Sequence, residues 1–252
     1  MSETLELAQR ALAAAGGGAD ALAHVAHERS LMLRFARSRP TQATAVDDLT
    51  VTLAIVRDGH VGTASTNATG ADDLAGCVRR ATAAAEAAAR SGGAGHYPGF
   101  PDGGPARPHE GFDLATARLD PRMGGAQLEA AFAECAERGV EAHGTWTAGD
   151  VATAVASGAG AAAGDRVTDA FMKVTAIAPG GRSGYVERTA TASGDLDGSA
   201  IARAAAEKAA LPGEPVRLEP GEYPVVLEAD AVGDLVAWLG YLAVNGLAYA
   251  EG

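Results

Sequence analysis

The chain has 252 residues, enough for one large or two modest cores, and 47% of them are hydrophobic, which excludes a disordered polymer. Only 5% are aromatic and much of the apolar content is alanine, so close backbone approach must do much of the packing, while 33 glycines and 11 prolines make turns frequent. A net charge of −12 with a pI near 4.9 repels phosphate backbones and argues against nucleic acid as a partner.

In chain order, Leu5 to Ala15 has the spacing of an amphipathic helix, stopped by Gly16-Gly17-Gly18. Strands follow: Leu31, Leu33 and Phe35 alternate with Met32, Arg34 and Ala36, and Val51, Leu53 and Ile55 alternate with Thr50, Thr52 and Ala54. Asp58-Gly59 supplies the positive φ angles of a tight hairpin that returns through Val61 to Ser65. Thr69 reads as an N-cap with Asp72 three residues on, and Leu74, Cys77, Val78 and Ala81 mark one face of a helix to about Arg90. Between Ser91 and Asp113 the Gly/Pro-rich stretch can hold neither a ladder nor a helix.

The second half repeats this order. A helix over about Arg122 to Arg138 precedes strands at Val140–Thr147, Val151–Ser157, about Asp165–Ala178 and Tyr185–Ala192, then a helix over about Gly198 to Ala210. The closing helices also begin alike, Asp73-Leu74-Ala75-Gly76 against Asp195-Leu196-Asp197-Gly198. Shared order on both sides of one loop predicts an α+β fold of two similar helix–sheet–helix units with mixed or antiparallel sheets. The expected division is 1–92 for the first unit, 93–119 for the connector, 120–212 for the second unit and 213–252 for the start of a C-terminal region. That last region opens with Pro-Gly-Glu-Tyr-Pro-Val-Val-Leu-Glu, read as a strand at Tyr223–Leu227, and continues as an apolar helix over about Ala231 to Val244.

Apparent catalytic motifs dissolve on inspection. His109-Glu110 continues as Gly111-Phe112-Asp113-Leu114, without the second histidine a metalloprotease helix needs on the same face. His24 and His27 lie three apart, on opposite faces of a strand, though a helix there would let them share a metal. His60 beside the hairpin and His96 in the loop have no partner in view. Gly158-Ala159-Gly160-Ala161-Ala162-Ala163 fits a loose dinucleotide pattern, but the segment after it, Val167 to Val174, is β-branched and strand-like where a helix should start. No P-loop lysine and no Gly-x-Ser-x-Gly nucleophile turn is present. Cys77 and Cys135 sit among alanines as small apolar residues, with a bond between them left open. Trp146 and Trp238 read as packing anchors. No catalytic, metal-binding or cofactor-binding residue is assigned.

The order of these pieces resembles the TldD/PmbA family, two-component metalloproteases once described as modulators of DNA gyrase. Asp48-Leu49-Thr50-Val51 through the Asp-Gly turn to Val61-Gly62-Thr63-Ala64-Ser65-Thr66-Asn67 looks like its first hairpin. Val155-Ala156-Ser157-Gly158-Ala159-Gly160 resembles its Asn-Ser-x-Gly turn with Ala156 in place of Asn, and Ser183-Gly184-Tyr185 its Ser-Gly step. The resemblance implies that catalytic members carry His-Glu-x-x-x-His on the helix after the last strand, preceded by two apolar residues. Here Leu235-Val236 fit the apolar pair, and Ala237, Trp238, Leu239, Gly240, Tyr241 and Leu242 follow, none of which ligates zinc. The expectation is a TldE/PmbA-like, non-catalytic subunit of a cytoplasmic metalloprotease complex acting on unfolded or modified peptides. Zinc is expected only in a TldD-like partner, with self-association as a dimer as the other partner option, and with no nucleic acid and no membrane. The alternatives are a stand-alone binding or scaffold module, and a truncated metallopeptidase whose metal site lies beyond residue 252. No run of about 18 apolar residues occurs, and the start Met-Ser-Glu-Thr-Leu-Glu lacks the basic and apolar regions of a signal peptide, which underlies the cytoplasmic expectation. The stop at Glu251-Gly252 reads as a truncated or fragmentary member.

Overall fold

A computed structural model describes residues 2–91, 95, 97–100, 103–104, 109–211, 216–244 and 246. His96, part of the Gly/Pro connector and the Glu251-Gly252 end lie outside the described residues.

Two halves of the same element order are present. The first is α1 (Glu3–Ala14), β1 (Ala21–Ala36), β2 (Arg39–Arg57), β3 (His60–Thr66) and α2 (Ala71–Arg90). The second is α3 (Pro121–Glu137), β4 (Glu141–Ser157), β5 (Ala162–Ile177), β6 (Ser183–Ala190) and α4 (Gly198–Ala209). The fold is α+β, and the two units share one sheet of order β3-β2-β1-β4-β5-β6, antiparallel throughout. The joint is the β1–β4 ladder, in which Leu22 to Phe35 face Ser157 to Gly144.

Local chemistry explains most element ends. The Ser2 hydroxyl accepts from the Leu5 N–H and caps α1, Asp120 accepts from the Arg122 N–H ahead of Pro121 at the first position of α3, and Asp197 accepts from the Ala200 N–H at α4. At α2 the N-cap is Gly70, not Thr69, and no side chain caps it; Asp72 and Asp73 in the first turn face the positive end of the helix dipole instead. The Asp58-Gly59 turn forms as expected, with φ of 50° and 71°. A second tight turn, at Arg37-Ser38, has φ of 52° and 53° without any glycine and makes β1 and β2 one long hairpin.

Two expectations are corrected here. The strands expected at Val140–Thr147 and Val151–Ser157 are a single strand, because the ladder runs unbroken through Gly149 and Asp150 to Ser30 and Arg29 on one side and Asp169 and Thr168 on the other. The strand expected at Tyr223–Leu227 does not form: Val225 and Val226 are 74% and 97% exposed with no neighbouring strand among the described residues, and a strand without a ladder partner leaves its backbone groups to water. The helix after it does form, as α5 (Ala229–Ala243). The four-residue match of the closing helices also falls at different places, since Asp73–Gly76 lies inside α2 whereas Asp195-Leu196 precedes α4.

All four helices α1–α4 pack on one face of the sheet, and they gather two separate cores. Leu7, Ala11, Val25, Leu53, Leu74 and Cys77 belong to the first, under α1 and α2. Phe35, Leu128, Cys135, Trp146, Met172 and Ile201 belong to the second, under α3 and α4. Each fully buried Leu, Val or Met contributes ~1.5–3 kcal/mol. The alanine-rich helices approach the sheet closely at equivalent glycines. A Cβ on Gly62 of β3 would lie 2.1 Å from Ala85 N and 2.2 Å from Ala81 O of α2, and one on Gly184 of β6 would lie 2.1 Å from Ala205 O of α4. At both glycines only a hydrogen leaves room for the helix backbone.

Candidate functional site

On the helix face the two cores leave a polar seam between them, at the middle of the β1–β4 joint. Asp150 of β4 has a side chain only 4% exposed, and its carboxylate accepts from Arg29 Nη2 at 2.9 Å and from Arg166 Nε and Nη2 at 2.7 Å each. The Arg166 hydrogen bonds lead in holding the Asp150 carboxyl below the usual range, against the opposing effect of burial. Arg29 also donates to the Ala117 carbonyl at 2.7 Å, and Arg166 stacks 4.6 Å from the Phe112 ring centroid. The chain leaving the connector is thus strapped across the seam. Thr168 completes the strap: its hydroxyl accepts from the Asp113 N–H and donates to the Thr191 carbonyl, and its own N–H donates to the Gly111 carbonyl. The Asp150 carboxylate is thus held by two guanidinium groups, and the seam joins the two units through side chains as well as through the ladder.

Among the described residues, none of α1–α4 lies on the opposite face of the sheet. That face presents side chains such as Glu28, Ser30, Met32 and Arg34 from β1 and Thr145, Thr147, Val151 and Thr153 from β4. Two lengths of strand edge lie beyond their outer neighbours. Among the described residues β3 pairs only with Val51–Arg57, leaving β2 without a ladder partner on that side from Arg39 to Thr50, and β6 pairs only with Ala170–Ile177, leaving β5 without one from Ala162 to Val167, up to the point where the Gly111 carbonyl takes the Thr168 N–H. Such edges are templates for an added strand.

The helix α5 stands where the resemblance places the metal helix. Its acidic side is tied back to the second unit, Asp230 to Arg188 at 3.5 Å and Glu228, its N-cap residue, to Lys208. Its other side is apolar and uncovered, with Leu235, Val236, Leu239 and Leu242 each at least 60% exposed. Trp238 is 62% exposed and meets the Tyr241 ring edge-on at 6.1 Å, so among the described residues the expectation of a packing anchor is corrected for this residue while Trp146, 1% exposed, fits it. The residues present do not fit zinc: Ala237 to Leu242 offer no imidazole, thiolate or carboxylate, and among the described residues no three His, Cys, Asp or Glu side chains are grouped to hold an ion.

The histidines are scattered as the strand reading requires. His24 points from the open face, while His27 lies on the helix face and meets Asp47 at 2.8 Å. His60 contacts the Asp58 carbonyl at the hairpin, and exposed His109 lies 3.6 Å from Asp165. The Gly158–Gly160 segment is the β4–β5 turn, with Gly160 at φ 106°, and β5 follows where a nucleotide helix would stand. Cys77 and Cys135 are free, buried in different cores, and burial raises both thiols above their ordinary range. The seam escaped sequence reading because Arg29, Asp150 and Arg166 share no local motif.

Residues 25–85 match the family model described as PmbA/TldA metallopeptidase domain 1. No curated protein matches the chain in sequence. Among solved structures, TldE from Thermococcus kodakarensis superposes with a TM-score of 0.70 at 12% identity over 81% of this chain and 46% of its own. A candidate modulator of a DNA gyrase from Thermotoga maritima gives 0.66 at 20% identity over 81% and 47%. A candidate modulator of DNA gyrase from Bacteroides thetaiotaomicron gives 0.67 at 17% over 83% and 50%. The chain therefore spans about half the length of the solved structures it matches. The domain match over residues 25–85 falls on β1 to α2, and the fold across both halves is that of these solved structures.

Proposed function

We propose that this chain is a TldE/PmbA-like subunit of a cytoplasmic TldD/TldE-type metalloprotease complex acting on unfolded or modified peptides, itself lacking the metal motif. The observation that carries the reading is the composition of α5. At the six positions following Leu235-Val236 stand Ala237, Trp238, Leu239, Gly240, Tyr241 and Leu242, none able to ligate zinc. A TldD-like partner would hold the zinc. This chain's part is to wall the cleft and offer sheet edges, at Arg39–Thr50 of β2 and Ala162–Val167 of β5, that the partner or an extended peptide extends by main-chain hydrogen bonds.

The test is a zinc determination and a protease assay on an unfolded protein substrate, with the chain alone and mixed with a TldD-like protein from the same genome. Zinc-dependent cleavage confined to the mixture supports the reading. Stoichiometric zinc and cleavage with the chain alone overturn it.

A further inference from the structure

At one end of the open sheet face a row of side chains crosses the strands in register. Gln42 of β2 stands opposite Arg34 of β1, Arg34 opposite Thr145 of β4, and Thr145 opposite Lys173 of β5. Neighbouring strands are ~4.8 Å apart, so Arg34 and Lys173 rise from backbones ~10 Å apart with the Thr145 hydroxyl between them. His143, two residues along β4, joins them around a cavity of about 450 Å³ that Thr41, Gln42 and the backbone of Phe35 to Ala36 also line. The volume is that of a small-molecule site.

The cations of this row are uncompensated. Among the described residues no carboxylate lies within ion-pair distance of Arg34 or Lys173, whereas Arg29, Arg138, Arg166 and Arg203 are each matched to one. Glu187, directly across from Lys173, is engaged by the Tyr185 hydroxyl. Arg39, opposite Ala36 at the rim, adds a further cation without an acidic partner among the described residues. His143 Nε2 is buried without a hydrogen bond, and the Glu141 carboxylate stands 3.6 Å from it. A guanidinium, an ammonium and an imidazole nitrogen thus converge with a threonine hydroxyl and a glutamine amide, a set rich in donors. In a chain of net charge −12, that concentration of unpaired positive charge in a concavity is the place where an anion gains most.

We propose that the Arg34–Thr145–Lys173 row binds a compact oxyanion, a single carboxylate or phosphate group. The remainder of the open face sets the size. Glu28, Asp48, Asp165 and Asp169 line it further along the same strands, so an extended polyanion such as nucleic acid is repelled. The inference does not depend on the peptidase reading, because it uses neither α5 nor a partner.

Isothermal titration at fixed ionic strength, with chloride as the balancing anion, tests it with two probes: inorganic phosphate and an acetylated alanine tetrapeptide with a free C-terminal carboxylate. Saturable binding of either one is expected, and which one binds identifies the source of the oxyanion. Arg34→Gln and Lys173→Gln should each weaken it at least tenfold, Lys173→Arg should retain it, and Arg10→Gln, an exposed unpaired arginine on α1, should leave it unchanged. Circular dichroism melts of the variants separate lost binding from lost folding. Absence of saturable binding by both probes, or binding unchanged in Arg34→Gln and Lys173→Gln, overturns the proposal.

Discussion

Adjacent glycines in α3 offer an internally controlled measure of how tightly the second core is closed. Replacing either Gly124 or Gly125 by alanine gains about 0.5–1 kcal/mol of helix propensity. At Gly125 the new methyl meets no atom within 4 Å, so the gain survives intact. At Gly124 it would lie 2.6 Å from Leu33 Cδ1 and 2.6 Å from Trp146 Cε3. The Leu33 methyl can swing aside, but the Trp146 ring is 1% exposed and hemmed in by the second core. Overpacking of that kind costs ~1–3 kcal/mol, so Gly124→Ala should be neutral to destabilising while Gly125→Ala stabilises, the two differing by ~1–3 kcal/mol. For a chain of this size that is roughly 2–12 °C between their melting temperatures. Thermal melts followed by circular dichroism, with urea titrations alongside, read the difference directly. Equal stabilisation by the two alanines would show that α3 does not close on Trp146 and would remove the packing argument for the second core.

The equivalent glycines Gly62 and Gly184 should each resist alanine more strongly, since the added methyl would strike helix backbone; a loss of ~2 kcal/mol or more is expected for each by urea denaturation, and a loss below ~0.5 kcal/mol would contradict the close approach. Asp150→Ala leaves two guanidinium groups facing each other; stranding a buried charge costs ~3–5 kcal/mol, but the Arg29 and Arg166 side chains are 37% and 52% exposed, which lowers the expectation to ~1–3 kcal/mol in the same assay. Glu134 bridges α3 to α4, and hydrogen bonds from Arg203 and then Ser199 hold its carboxyl at about 2, down from 4.5. A depressed carboxylate stabilises the fold fully above the unfolded value and loses that contribution as the pH falls from 4.5 toward about 2. Glu134→Gln should therefore flatten the melting temperature against pH across that window, and an unchanged profile would count against the bridge.

The hydrophobic periods of β1 to β3 and of the four flanking helices were legible because each buries one face, and alternation or 3.6-residue spacing records that burial directly. The Asp58-Gly59 turn was legible because its residues advertise positive φ, whereas Arg37-Ser38 adopts the same geometry with nothing in its letters to say so. Gly149-Asp150 misled for the opposite reason: turn-forming residues sit inside β4 because Arg29 and Arg166 hold Asp150 and the ladder continues on both sides. At Tyr223–Leu227 a short apolar run after turn residues promised a strand, but such a run alone cannot supply a partner. Both the seam and the cationic row draw residues from strands far apart in sequence. Register creates such sites, and register is not written in any local window.

The joint between the repeats is a strand ladder and not a peptide linker, and this decides how the molecule can be taken apart. A chain cut between α2 and α3 would leave two pieces still zipped along Leu22–Phe35 and Gly144–Ser157, able to reassemble from separate solutions. Either piece expressed by itself would carry a bare central strand, and its nearest substitute for the missing half is a second molecule of its own kind, so swapped or aggregated products are what such a dissection would yield.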